Sequence, residues 1–185
     1  MKKSDGIYLM QSLGLNTLDC LITKKKDDAF AYLHKNHNIR ISLRTERGEE
    51  FGCPFYYGKI GGGLVDLANQ HIEEGYTLLL YPYLDYKDSI AYGTVGLPPD
   101  GSTIIEFVEG PGLVRELDTN PTRISITVPP GLALIPNRPL ISEVVKEVKE
   151  LCYNEQACIV EWSIYKYSVG ILQKPVIYWE LRDYA

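Results

Sequence analysis

Sulfur, histidine and long apolar runs are all scarce in this chain. Its 185 residues include only four cysteines, two methionines and three histidines. No two cysteines form a CxxC pair, and their spacings do not cluster as zinc ligands would, which excludes zinc-ribbon and dithiol redox chemistry. Cys20, Cys152 and Cys158 fall within apolar patterns and are expected to be buried free thiols in a reducing compartment. Cys53, in Gly52-Cys53-Pro54-Phe55, leaves a nucleophilic role open. No apolar stretch approaches the roughly 20 residues that cross a bilayer, and no signal-peptide core opens the sequence. A cytoplasmic location with no membrane partner is the expectation. Basic residues are too few and too scattered for a nucleic-acid surface. Nineteen Lys and Arg face 24 Asp and Glu, for a net charge of −5. The only basic run, Lys24-Lys25-Lys26, leads straight into Asp27-Asp28 and reads as the solvated start of a helix. Phosphate backbones require concentrated Lys and Arg, so nucleic acid is not the expected partner.

The chain does hold enough apolar residues for a substantial core, at 45%. It also holds 14 tyrosines, which suit strands that are half buried and half wet. Helices are expected around residues 5–13, from Asp27 onward, and from Leu64 to a stop at Gly75. A last helix follows the Pro136–Pro139 break, with Ser142 as its N-cap and Val144, Val145, Val148, Leu151 and Cys152 as its buried stripe. Strands are expected at 18–23, 39–45, 77–84, 89–97, 103–109, 123–128, 158–163 and 176–182, with 46–63 a loop. This order predicts an α+β protein with an N-terminal α/β lobe over 1–75 and a larger, mainly antiparallel sheet lobe over 76–185.

The candidate chemistry concentrates in the last two strands. Glu161 lies on the face opposite Cys158, Val160 and Trp162, while Glu180 and Arg182 share a face opposite Ile177, Trp179 and Leu181. If the two strands pair, both glutamates reach one space beside Arg182. Like charges opposed across strands need a compensating cation, and Mg²⁺ takes one or two carboxylates together with phosphate oxygens. The alternative is that Arg182 simply neutralises the glutamates on a wet face. Arg44 ends an alternating strand and could grip phosphate bidentately, or pair with Glu46 or Glu49. Gly58-Lys59-Ile60-Gly61-Gly62-Gly63 is not a Walker loop, since its lysine precedes the glycines. It is either a phosphate-approaching loop bearing Lys59 or a plain turn. His34, His37 and His71 show no partner in the sequence, and surface or capping roles are expected for them.

The succession of these segments resembles the ATP-binding, ATP-grasp domain of phosphoenolpyruvate synthase and pyruvate phosphate dikinase. Lys3 in a first helix leads to "GLNTLDCLIT". "IRISLRTE" is similar to a strand ending in Arg-Ser-Ser. "IVEWS" followed by "VIYWELR" is similar to the family's Asp-Ile-Glu-Trp and Gln-Ala-Arg pair. The resemblance spans nearly the whole chain and implies a two-lobed ATP-grasp-like fold that binds ATP and Mg²⁺. It implies phosphate contacts from Lys3 and Arg44, metal ligation by Glu161 and Glu180, and contact of Arg182 with the transferring phosphoryl group. Glu106 would lie on the nucleotide-facing side. The sequence departs from the pattern at Asn16-Thr17, at Arg44-Thr45-Glu46, at Ile159 where the family has aspartate, and at Glu180 where it has glutamine. Phosphohistidine and pyruvate-binding domains are absent from this sequence, so the family's full reaction is not expected of this chain alone. The leading reading is an ATP-dependent phosphotransferase or ligase acting on an unidentified acceptor. One alternative is a non-catalytic nucleotide-binding or protein-interaction module. Another is a homo-oligomeric structural protein assembled through tyrosine-rich strand faces.

Overall fold

The computed structural model describes residues 1–48, 50, 52–132, 134–152, 157–166 and 175–184. Its chain contacts separate two units, residues 18–85 and residues 3–17 together with 86–185. Each unit holds its own antiparallel sheet.

In the smaller unit the sheet order is β1 (Leu21–Thr23), β4 (Thr77–Pro82), β2 (Arg40–Glu46) and β3 (Phe55–Ile60). Helices α2 (Lys26–Lys35) and α3 (Val65–Glu73) cover one face. The strict alternation of β2 and β4 sends Ile41, Leu43, Leu78 and Leu80 into a core with Ala29, Leu33, Leu64 and Ala68. Strand β4, expected in the sequence to belong with the later strands, hydrogen-bonds here between β1 and β2. Strand β3 lies where the sequence reads as a loop. Gly52, Pro54 and Gly58 surround Phe55-Tyr56-Tyr57 with turn formers, and an edge strand tolerates such punctuation.

The larger unit carries the sheet β7 (Ile124–Val128), β6 (Thr103–Glu109), β5 (Ser89–Leu97), β8 (Cys158–Tyr165) and β9 (Val176–Asp183), in that order. One face is apolar, with Val95, Ile105, Phe107, Val160, Trp162 and Leu181 all buried. Helix α4 (Pro139–Leu151) lies on this side, burying Ile141, Val144, Val145 and Val148. Ser142 is not its N-cap. Arg138 occupies that position with Pro139 following, because proline's fixed φ suits the first helical residue. Ser142 instead ties down the preceding loop, accepting from the Ile135 N–H at 2.8 Å and donating to the Arg138 carbonyl at 3.0 Å. Helix α1 (Lys3–Ser12) packs against β9 so closely that a Cβ on Gly6 would stand 2.2 Å from the Leu181 carbonyl oxygen.

A bulge in β9 alters the expected facing of its residues. Glu161 pairs with Glu180 but Trp162 pairs with Tyr178, so Trp179 is the extra residue. Tyr178 is thereby turned into the core beside Trp162, and its hydroxyl donates to Glu147 of α4 at 2.7 Å. Trp179 is half-buried, and its indole N–H donates to Ser163 Oγ at 2.8 Å.

Candidate functional site

The face of the larger sheet turned away from α4 is polar along one line. Ser125, Glu106, Thr94, Glu161 and Glu180 are direct register partners from β7 through β6, β5 and β8 to β9. Residues paired across antiparallel strands project to the same side, so the register itself gathers three carboxylates and two hydroxyls in a row. None of the three glutamates is fully exposed.

Cations border the row. The Arg182 guanidinium lies 3.7 Å from a Glu161 carboxylate oxygen. Lys3 Nζ, on α1, lies 4.0 Å from Glu180. Arg123 stands 3.7 Å from Glu106 and 3.1 Å from Asp118. Beyond Glu106 and Thr94 the same face becomes apolar where Tyr92 and Val108 meet Val114 and Leu117 of a short 3₁₀ turn. The Tyr92 hydroxyl there accepts from the Asn120 amide at 2.9 Å. The larger unit thus brings together Lys3, Glu106, Glu161, Glu180 and Arg182. Arg123 and Thr94 join them without having been singled out in the sequence. Their signal was positional: Thr94 lies between two glutamates only once the strand order is known.

The remaining predicted residues lie in the smaller unit. Arg44, half-buried in the middle of β2, pairs with Phe55 and Leu79. Its guanidinium is 5.4 Å from the Phe55 ring centroid and is hydrogen-bonded to the Tyr81 hydroxyl. Burial raises the Tyr81 phenol above its ordinary value, while the adjacent Arg44 charge works in the opposite direction. Burial also pushes the nearby Cys20 thiol up to about 12, reinforced by Asp19 and opposed by Arg44. Glu49, one candidate partner for Arg44, lies outside the described residues. Lys59 is exposed on the edge strand. Of the glycines that follow it, Gly61 donates its N–H to the Ile39 carbonyl and Gly62 donates to that of His37. Gly61 is required for close approach, since a Cβ there would meet the Asn36 carbonyl oxygen at 2.5 Å.

His71 is not the surface or capping residue expected from the sequence. It is buried, with the Tyr56 hydroxyl 3.1 Å from Nε2 and a Glu74 carboxylate oxygen 2.9 Å from Nδ1. A carboxylate only accepts, so Nδ1 carries a proton, and in the neutral ring Nε2 accepts from the Tyr56 hydroxyl. Cys53 is half-buried, its sulfur 3.5 Å from the Glu50 carbonyl oxygen. Among the described residues, no group of three or more His, Cys, Asp or Glu side chains is arranged to hold a metal ion. No helix among them is long and apolar enough to cross a membrane.

No protein family and no curated protein matches the sequence. Solved structures do match the fold. The chain is similar over its full length to 51% of the D-alanine-D-alanine ligase of Helicobacter pylori, with a TM-score of 0.59 and 15% identity. It is similar to a Chryseobacterium gregarium RiPP-associated ATP-grasp ligase in complex with ADP and a leader and core peptide. That match has a TM-score of 0.59 and 7% identity, covering 97% of this chain and 50% of that one. The fold is ATP-grasp-like. A dinucleotide-forming acetyl-coenzyme A synthetase from Ca. Korarchaeum cryptofilum, in complex with coenzyme A and Ca-AMPCP, aligns at a TM-score of 0.65 with 10% identity. There 98% of this chain and 91% of that chain are covered. The chain therefore spans about half the length of the two ATP-grasp-type ligases and most of the synthetase chain. At these identities the likeness concerns the fold.

Proposed function

We propose that this protein binds ATP with Mg²⁺ on the carboxylate face of its larger sheet and acts as an ATP-dependent ligase or phosphotransferase on a separate acceptor. The observation that carries this reading is the direct pairing of Glu161 with Glu180, flanked by Arg182 and Lys3. Two adjacent carboxylates suit Mg²⁺, which takes few protein ligands and completes its shell with water and phosphate oxygens. The bound metal would supply charge neutralisation at the phosphates. Arg182 would offer its planar fork to phosphoryl oxygens, exchanging its 3.7 Å contact with Glu161 for a bidentate one. Lys3 would add a point charge that α1 holds beside Glu180. Glu106, paired across the sheet with Ser125 and Thr94, would accept from the nucleotide's hydroxyls. Positioning and electrostatics suffice for phosphoryl transfer, which needs little covalent help from protein groups. A part for Arg44 in phosphate binding rests on its guanidinium and on the sequence resemblance, a part for Lys59 on the glycine-rich segment that follows it, and kinship with phosphoenolpyruvate synthase on the resemblance alone.

A thermal-shift series with ATP, ADP, AMP and GTP, each with and without Mg²⁺, tests the reading. ATP with Mg²⁺ at 100 times its Kd adds about 2.7 kcal/mol, roughly 5–11 °C for a chain of this size. Arg182→Ala is expected to weaken binding by about 1–3 kcal/mol, roughly 5–150-fold. No shift with any nucleotide overturns the proposal. The existing ion pairs of Arg182 and Lys3 also support a second reading, a nucleotide-binding module without turnover. Nucleotide binding with no ADP formed across candidate acceptors would select it.

A further inference from the structure

We infer that the α4 side of the larger sheet carries a second, independent binding site, for an amphipathic organic acid: an apolar chain or ring ending in a single carboxylate.

A cavity of about 940 Å³ lies between the β5–β6 connection, residues 130–131 and the C-terminal half of α4. Its wall is mostly apolar, formed by Leu97, Pro98, Pro99, Pro130, Cys152 and Ala157. Three prolines and the strand-to-strand turn make it a stiff wall, in which the Gly101 N–H is tied to the Pro98 carbonyl and Ser102 is bonded to Asp100. The volume falls within the range of small-molecule sites.

Thr103 also lines this cavity, is fully buried, and has a hydroxyl with no hydrogen-bond partner among the described residues. An unsatisfied buried hydroxyl is costly in the free protein and favours any ligand that brings an acceptor. The neighbouring Ser102 hydroxyl is already engaged with Asp100 at 2.7 Å, which leaves Thr103 as the available donor.

The charge at this site selects the acceptor. Among the described residues lining the cavity, Lys146 and Lys149 accompany a single acid, Glu150. Lys146 sits 3.8 Å from Glu150, and Lys149 donates to the Leu132 carbonyl. A carbonyl carries no net charge, so its bond to Lys149 does not neutralise the ammonium, and the two lysines favour a monoanion over a cationic guest. The apolar wall disfavours small hydrated anions. An apolar body with one carboxylate satisfies the wall, the Thr103 hydroxyl and the lysine field together.

This site does not depend on the nucleotide reading. Thr103 and Leu97 stand three residues from Glu106 and Thr94 on their strands, and so face the opposite side of the sheet.

The test uses the full chain, with octanoate as the anionic probe and 1-octanol as its neutral counterpart, by titration calorimetry and thermal shift. Octanoate is expected to bind at one site and octanol at least 10-fold more weakly. Thr103→Val keeps the shape, removes the hydroxyl, and is expected to weaken octanoate about 5–10-fold while raising the melting temperature of the free protein. Lys149→Met is expected to weaken octanoate and leave octanol unchanged. Ala157→Phe, which fills the cavity, is expected to abolish both. Equal affinity for octanol and octanoate overturns the assignment of a carboxylate. Octanoate binding unmoved by both Thr103→Val and Ala157→Phe overturns the site, as does the absence of saturable binding. ATP binding should persist in every variant, so failure here and failure of the nucleotide reading are separable.

Discussion

Neutralising one of the paired glutamates should affect the free and the liganded protein in very different ways. Glu161 and Glu180 oppose each other across β8 and β9, where side chains stand about 5 Å apart. Two charges at that spacing repel by about 0.8 kcal/mol in a water-like dielectric and about 3 kcal/mol at an effective dielectric of 20. The side chains are 21% and 16% exposed, which places the pair between those limits. Arg182 at 3.7 Å and Lys3 at 4.0 Å offset most of the repulsion. Glu161→Gln or Glu180→Gln therefore removes a repulsion and a compensating attraction together. The free protein should change by no more than about 1 kcal/mol, roughly 2–4 °C in Tm. Mg²⁺-dependent ATP binding should fall far more, by about 1.5–3 kcal/mol or roughly 10–150-fold, because an amide oxygen cannot replace a charged ligand. Calorimetric titration of ATP at saturating and zero Mg²⁺, on both variants and the parent, separates the two effects. Unchanged Mg²⁺ dependence in both variants would refute the placement of the metal on these carboxylates.

Other consequences concern packing and protonation. Gly6→Ala should loosen α1 from β9, because the new methyl meets the Leu181 carbonyl. A loss of about 1–3 kcal/mol in urea unfolding is expected, and wild-type stability would contradict the contact. Tyr56→Phe leaves buried His71 Nε2 without its donor and should cost about 1–3 kcal/mol by the same measurement. The Cys20 thiol, raised from an ordinary 9.0 to about 12 chiefly by burial, is an acid kept neutral by folding. Its stabilising contribution is complete below pH 9 and is lost as pH rises toward 12, so urea midpoints should fall over that window. Cys20→Ala should flatten the fall. Cys20 and Cys53 are both half-buried, but the raised Cys20 thiol holds less thiolate, so iodoacetamide at pH 8.5 should label Cys53 before Cys20, and equal labelling would contradict that shift.

Much of this architecture was legible from local pattern. The alternation in 89–97 and 103–109 placed β5 and β6 at the very residues they occupy. Gly14 and Gly75 both adopt positive φ just past the helices they were expected to close. The shared direction of Glu161, Glu180 and Arg182 followed from counting residues outward from buried neighbours. Local pattern failed where a single residue changes the count or where turn formers interrupt a strand. The bulge at Trp179 exchanged the facing of Tyr178 and Trp179, and the glycines around 52–58 obscured β3. Ser142 looked like a cap because its hydroxyl does bond nearby backbone, but from one turn inside the helix.

Side-chain periodicity is a property of the chain alone, so the sequence sufficed for most amphipathic segments and for the polar face of those strands that run without a bulge. It could not determine strand order, which rests on long-range hydrogen bonding. Only that order, β7-β6-β5-β8-β9, aligns Glu106, Thr94, Glu161 and Glu180 in one row, although 74 residues of chain separate the first from the last. The burial of His71 and of the Thr103 hydroxyl was likewise decided by tertiary packing. For His71 the decisive partner is Tyr56 of β3, which lies 15 positions away in the chain and meets Nε2.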